Sequence, residues 1–274
     1  MRVGFVGAGA MGAPMVTRLL AAGHEVRALG RTEGKRTALA ELGATPVAEL
    51  SEVTAGSEVV VVCVFTDDQV RQVCLESGTD ATDGLLAAMA PGSVLVLHTT
   101  GSPSTAQTLA DLGAPNGVGV LDAPVSGGPH DIAAGRITLF VGGESAALER
   151  VRPVLAAYSD PILHVGDIGS GQKVKLVNNT LFAAQIGLLT EGVRLAADLG
   201  VSESALLAAL PHGSAASRVL AGVAGRGSVA GFIEVAGGFV RKDIDVVRKV
   251  VAELGGDLGV LDELASTGLD GKKS

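Results

Sequence analysis

A chain of 274 residues exceeds the usual size of one folding unit, so two packed units are expected before any motif is read. It is 47% hydrophobic with no Trp and one Tyr, so its core must be built from Ala, Val, Leu and Ile, a mix suited to helices on buried parallel strands. A formal net charge of -8 argues against a phosphate-backbone binder, which needs clustered Lys and Arg, and nucleic acid is not an expected partner.

The first apolar run, Val3 to Val6, leads into Gly7-Ala8-Gly9-Ala10-Met11-Gly12 and then a helical pattern over Met11 to Ala22. Strand, GxGxxG loop and helix in that order make a phosphate cradle. Gly7 permits the tight turn, Gly9 lets backbone approach a pyrophosphate, Gly12 allows close helix packing, and the helix N-terminus presents N–H groups to the anion.

The second run, Glu25 to Leu29, ends without the acidic residue that holds a ribose 2′-hydroxyl in NAD-binding proteins. It continues as Gly30-Arg31-Thr32-Glu33-Gly34-Lys35-Arg36, whose Arg31 guanidinium and Thr32 hydroxyl suit a 2′-phosphate. NADP is therefore expected over NAD.

Further strands are expected at Val59 to Phe65, Val94 to Leu97, Val118 to Leu121 and Ile137 to Val141, alternating with helices such as Asp68 to Ser77 and Pro103 to Leu112. That alternation predicts a doubly wound α/β sheet with strands buried on both faces. Cys63 sits inside an apolar run and Cys74 follows without metal-ligand spacing, so neither a disulfide framework nor a metal site is expected.

After Val118 to Leu121 the chain reads Asp122-Ala123-Pro124-Val125-Ser126-Gly127-Gly128. A strand's carboxyl end is where ligands dock in such sheets. The Ser126 hydroxyl and the consecutive N–H groups of Gly127 and Gly128 could receive a carboxylate.

From Gln172 the strand signal stops, and Gln172 to Leu199 can form one long helix with Gly187 as its only internal break candidate. The boundary is expected in Gly166-Asp167-Ile168-Gly169-Ser170-Gly171, giving a nucleotide-binding domain over 1–166 and an all-α domain over 167–274 with a frayed polar tail at Gly271 to Ser274. Lys175 and Asn179 lie four apart on the long helix, so the amide can position the ammonium. A partly desolvated lysine can serve as acid or base. His130 and His212 read as surface or satisfied histidines. No apolar stretch reaches the roughly 20 residues of a membrane span, and the start reads as no signal peptide, so a cytoplasmic protein without membrane contact is expected.

The glycine loop, the Asp122 to Gly128 segment, Lys175 with Asn179, and the later Lys242-Asp243 fall in the order of the β-hydroxyacid dehydrogenase family, typified by 3-hydroxyisobutyrate dehydrogenase, and the chain resembles that family over nearly its whole length. The resemblance implies a Rossmann domain, a helical C-terminal domain of the 6-phosphogluconate dehydrogenase type, and a homodimer or homotetramer. It assigns Lys175 as the catalytic lysine and Asn179 as its helper, with Ser126, Gly127 and Gly128 as the substrate loop. It places Gly7, Gly9, Met11, Gly12, Val64, Phe65, Thr100 and Lys242 against NADP, with Arg31 and Thr32 at the 2′-phosphate. Val64-Phe65 stands where the family usually has Leu-Pro, and Leu97-His98-Thr99-Thr100 where it often has an acidic residue and a Ser-Thr pair.

The expected activity is hydride transfer between NADP(H) and a small β-hydroxy acid or the matching semialdehyde carboxylate. The alternatives are an imine reductase on the same scaffold, against which the retained Lys175 speaks, and a non-catalytic NADPH-binding protein.

Overall fold

Four consecutive valines, Val59–Val62, form a strand with every side chain fully buried, and the next strand in the sheet, Val94–Leu97, repeats the pattern. Because a strand's side chains alternate between faces, Val59, Val61, Val94 and Val96 enter one hydrophobic core, and Val60, Val62, Leu95 and Leu97 enter a second on the opposite face. Two cores on one sheet require helices on both sides. The computed structural model supplies them, and it describes residues 1–75 and 84–269.

The strands are β1 (Arg2–Val6), β2 (Glu25–Leu29), β3 (Thr45–Val47), β4 (Val59–Val62), β5 (Val94–Leu97), β6 (Gly119–Asp122), β7 (Val125–Ser126), β8 (Ile137–Gly142) and β9 (Ser159–Gly166). The helices among them are α1 (Gly12–Ala21), α2 (Glu33–Glu41), α3 (Leu50–Thr54), α4 (Asp67–Leu75), α5 (Pro103–Gly113), α6 (Pro129–Ala133) and α7 (Ser145–Leu155). The sheet runs β3-β2-β1-β4-β5-β6-β8-β7 with β9 also on β8, and β1 to β6 are parallel in the order of a dinucleotide-binding sheet. Met15, Val16 and Leu19 of α1 and Leu148, Val151 and Val154 of α7 fill the first core, while Val70 and Val73 of α4 and Ala106 and Leu109 of α5 fill the second.

The sheet departs from expectation at its far end, where β8 pairs antiparallel with β6 and β7. Only the five-residue α6 lies between β7 and β8, too little for the crossover that parallel neighbours need. β3 and β9 carried no strand signal because β3 contains Pro46 and β9 exposes much of its length. Both suit the rim of a sheet. The run Val59 to Phe65 stops pairing at Val62 because side chains take over its backbone groups. Thr99 Oγ1 accepts from Val64 N–H at 3.0 Å, and Gln69 Oε1 from Phe65 N–H at 2.9 Å.

The remainder is helical: α8 (Ser170–Asp198), α9 (Glu203–Ala209), α10 (Arg218–Arg226), α11 (Val229–Glu253) and α12 (Val260–Leu269). Compact units divide at Lys175/Leu176, inside α8 and beyond the expected glycine turn, because the first residues of α8 are hydrogen-bonded to the sheet. Gly187 does not break α8. Its missing side chain admits the backbone of α12, for a Cβ there would run into the Leu264 carbonyl. In the second unit, Ala183 and Ile186 of α8, Val219, Leu220 and Val223 of α10, and Val240 and Ile244 of α11 form the main core. Ser77 and the tail at Gly271 to Ser274 lie outside the described residues. Among the described residues no single helix is long and apolar enough to cross a membrane.

Candidate active site

Gly7 has φ +99, and a Cβ on it would strike the Cys63 carbonyl, so the chain's own geometry demands glycine there. Gly12 is buried, and a Cβ would meet the Gly7 carbonyl. Gly9 differs. It is exposed, its φ is ordinary, and a Cβ would meet nothing within 4 Å, so packing within the protein does not explain the glycine. Met11, half-buried against the first core, stands at the N-cap of α1 and gives no side-chain cap, and the first turn holds no acidic residue. An open cradle facing an uncapped helix start fits the pyrophosphate of a dinucleotide.

At the end of β2, Thr32 is the N-cap of α2 and accepts from Lys35 N–H at 3.3 Å, while Arg31 is exposed. Arg36 is committed elsewhere. Its guanidinium donates to the Gly30 carbonyl at 2.9 Å, so the basic turn keeps Arg31 and Lys35 on the surface. Val64 and Thr100 are half-buried, whereas Phe65 is 56% exposed.

The ends of β5 and β6 are joined to the start of α8 by side chains that sequence reasoning gave no role. Asp122 closes β6 fully buried, and its carboxylate accepts from Gly169 N–H at 2.6 Å and Gln172 N–H at 2.7 Å, capping the start of α8. Burial pushes its carboxyl up to about 6 against the pull of backbone N–H groups. Gln172 in turn donates from Nε2 to the Thr99 carbonyl at 2.8 Å and accepts from Gly101 N–H at 2.9 Å. The available signal was an acidic residue closing an otherwise apolar strand, since charge is rarely buried without a structural or chemical reason.

The segment expected to receive a substrate carboxylate begins with Ser126 half-buried on β7 and turns at Gly127, whose φ is +130. The expectation of two available glycine amides is corrected: Gly128 N–H donates to Asp131 Oδ2 at 2.8 Å. The loop therefore offers the Ser126 hydroxyl and the Gly127 N–H. Ser126→Ala is accordingly expected to raise KM for a carboxylate substrate roughly tenfold, the worth of one hydrogen bond to a charged group, with a smaller change in kcat. Steady-state kinetics check this, and an uncharged aldehyde of matching size turned over as well as the acid would contradict the loop's role.

On α8, Lys173 is exposed but Lys175, one half-turn on, is only 7% exposed. Asn179 is also buried, and its amide is spanned by neighbours in the helical unit. Nδ2 donates to Asp243 Oδ2 at 2.9 Å, and Oδ1 accepts from Asn178 at 3.2 Å. Lys242 Nζ lies 3.7 Å from Asp243 Oδ1. Asp243 is thus the carboxylate that anchors both Asn179 and Lys242, a role that residues 64 apart in sequence did not reveal. His130 is exposed beside Asp131, and His212 is exposed in a short turn.

Comparison with known proteins identifies the parts. A family model described as the NAD binding domain of 6-phosphogluconate dehydrogenase matches residues 2–166, and one described as the NAD-binding of NADP-dependent 3-hydroxyisobutyrate dehydrogenase matches residues 169–267. The 3-hydroxyisobutyrate dehydrogenase of Pseudomonas aeruginosa is 37% identical over 199 residues, 73% of this chain and 64% of that protein. The 2-(hydroxymethyl)glutarate dehydrogenase of Eubacterium barkeri is 35% identical over 201 residues, 73% of this chain and 65% of that protein. These alignments span just under two thirds of the two relatives' own lengths. The solved structure of Mycobacterium tuberculosis 3-hydroxyisobutyrate dehydrogenase with L-serine matches at a TM-score of 0.86 and 29% identity, covering 98% of this chain and 92% of that one. A nucleotide-binding sheet and a helical unit, each matched by a dehydrogenase module, define the class. The chain belongs to the β-hydroxyacid dehydrogenase family.

Proposed function

We propose that the protein is an NADP-dependent dehydrogenase of small β-hydroxy acids, equally able to run as a semialdehyde reductase. The observation that carries this reading is the buried Lys175 one turn before Asn179 on a helix whose start is fastened by Asp122 to β6, the strand that precedes the Ser126 segment. A lysine held that way has no need to be buried for stability, since burying an ammonium costs free energy. It is placed to move a proton at the substrate oxygen.

The substrate class rests on chemistry shared by the relatives. 3-Hydroxyisobutyrate, 2-(hydroxymethyl)glutarate and L-serine, the compounds named with those relatives, are all HOCH2–CHR–COO− and differ only at R. The nicotinamide supplies the acceptor or donor of hydride. In the oxidative direction Lys175 takes the hydroxyl proton as the C–H bond breaks, and in reduction it returns that proton to the carbonyl oxygen. The Ser126 hydroxyl and Gly127 N–H hold the carboxylate. Lys242, tied to Asp243, would sit at the nicotinamide end, and Val64, Phe65 and Thr100 would line the dinucleotide.

NADP preference is supported by the missing acid at the end of β2 and by the exposed Arg31 beside Thr32. Losing a charge-assisted phosphate contact costs about 1.5–3 kcal/mol. Arg31→Ala is therefore expected to weaken NADP+ by roughly 10- to 150-fold relative to NAD+. Titration of both cofactors checks it, and an unchanged ratio would remove the assignment.

Absorbance of the reduced cofactor, followed with those three hydroxy acids, their semialdehydes and a cyclic imine, tests the activity itself. Oxidation of at least one hydroxy acid with NADP+ is expected. Reduction of the imine alone would make the protein an imine reductase, and binding of NADPH without turnover of any compound would make it a non-catalytic binder.

A further inference from the structure

The parallel pairing of β5 with β6 ends at Leu97 and Asp122. One residue beyond, Ala123 is fully buried, its N–H donating to the Leu97 carbonyl at 2.8 Å. Its own carbonyl is met by a side chain, the His98 imidazole, with Nδ1 at 2.6 Å. A carbonyl only accepts, so the proton is on Nδ1, and Nε2 is left to accept from the Tyr158 hydroxyl at 2.8 Å. Tyr158 is completely buried and its ring meets the imidazole edge-on at 5.7 Å. The histidine is 2% exposed and can turn neither way without breaking a hydrogen bond.

Directly after Ala123 comes Pro124, which has no N–H to pair, and β7 and the glycine turn start at once. The imidazole therefore holds the Ala123 carbonyl on the sheet side of the loop, and the next carbonyl, that of Pro124, accepts from Phe140 N–H of β8 at 3.3 Å. Thr99, the neighbour of His98, bonds to Val64 and, through its carbonyl, to Gln172 of α8, so the same short segment also ties in the chain just after β4 and the start of α8.

We infer that His98, locked by Tyr158, is a positioning residue that aims the Ser126–Gly128 loop at its carboxylate through the Ala123 carbonyl. The inference rests on the proposed reading of that loop as the carboxylate site. Asparagine carries its amide nitrogen at the branch where Nδ1 sits, and glutamine carries its amide near Nε2. His98→Asn thus keeps the donor to Ala123 and drops Tyr158, whereas His98→Gln keeps the Tyr158 contact and drops Ala123.

Two readouts on the full chain test it: backbone amide hydrogen–deuterium exchange across residues 125–128 without substrate, and KM against kcat for 3-hydroxyisobutyrate with NADP+. His98→Gln is expected to speed exchange and to raise KM for the hydroxy acid roughly tenfold, the loss of one hydrogen bond to a buried carbonyl, with the KM for NADP+ unmoved. His98→Asn is expected to recover most of both. Tyr158→Phe, which keeps the ring, is expected to shift exchange in the same direction by less, and it carries the test if the glutamine variant does not fold. Equal exchange and equal KM in the asparagine and glutamine variants would reduce His98 to a packing residue. Faster exchange in the glutamine variant, rescued by asparagine, with no turnover of any carboxylate would uphold the positioning role and overturn the carboxylate reading.

Discussion

Lys175→Ala is expected to lower kcat by roughly 100- to 10,000-fold, the usual worth of positioned acid–base catalysis, while NADPH binds nearly as tightly as before. Two lysines stand at the start of α8, and their environments separate them. Lys173 is exposed and Lys175 is buried, on the face that carries Asn179 one turn later. Lys175→Arg is expected to rescue little, because a guanidinium keeps the charge but does not give up its proton near neutral pH. Asn179→Ala should be milder than either lysine change. It frees Asp243 from its amide partner without removing the proton carrier. The kcat–pH profiles of the variants at saturating cofactor decide the point. Near-normal turnover in the alanine variant would overturn the mechanism, and a fully active arginine variant would make Lys175 an electrostatic anchor.

The second large effect lies in acid stability. Burial lowers His98 to about 4 from its ordinary 6.5, so between those values the unfolded chain takes up a proton that the folded chain refuses, and stability falls as pH falls. Asp122 works in the opposite sense. Its carboxyl, raised by burial from 3.8 to about 6, binds a proton in the folded state where the unfolded chain does not, so stability rises as pH falls from 6 to 4. At 1.36 kcal/mol for each pKa unit, the two contributions come to about 3 kcal/mol each and nearly offset over the shared window. Asp122→Asn removes one and leaves the other. The variant is expected to lose about 3 kcal/mol more than the wild type between pH 7 and pH 4, read as the difference in denaturant midpoints at the two pH values. Parallel pH dependence in the two proteins would contradict this balance.

The parts of the fold written in local chemistry were the parts legible in the sequence. Continuous apolar runs marked β1, β4 and β5 because those strands are buried on both faces, and Gly7 and Gly12 announced the turn because backbone contact forbids a side chain there. β3 and β9 were not legible, because a rim strand that contains Pro46 or is exposed over much of its length lacks that signature. The same division holds at the site. Ser126, Lys175 and Asn179 were proposed from motif order, but the side-chain contacts around them could not be. Asp122, His98, Tyr158 and Asp243 act through contacts such as His98 with Tyr158, 60 residues apart, and no spacing rule encodes those. The commitment of Gly128 N–H to Asp131 was likewise invisible, since an Asp after a glycine pair reads equally well as a solvated helix-start residue.

Hydride transfer from a CH–OH carbon of a β-hydroxy acid to NADP+ is the central claim. 3-Hydroxyisobutyrate carrying two deuterium atoms on its hydroxymethyl carbon measures it directly, through the mass of the cofactor recovered after turnover. The expected result is NADPH one mass unit heavier, with a primary isotope effect on the chemical step that persists in the residual activity of Lys175→Ala. Turnover that leaves the cofactor unlabelled, or no oxidation with NADP+ while NAD+ supports it, would contradict the claim.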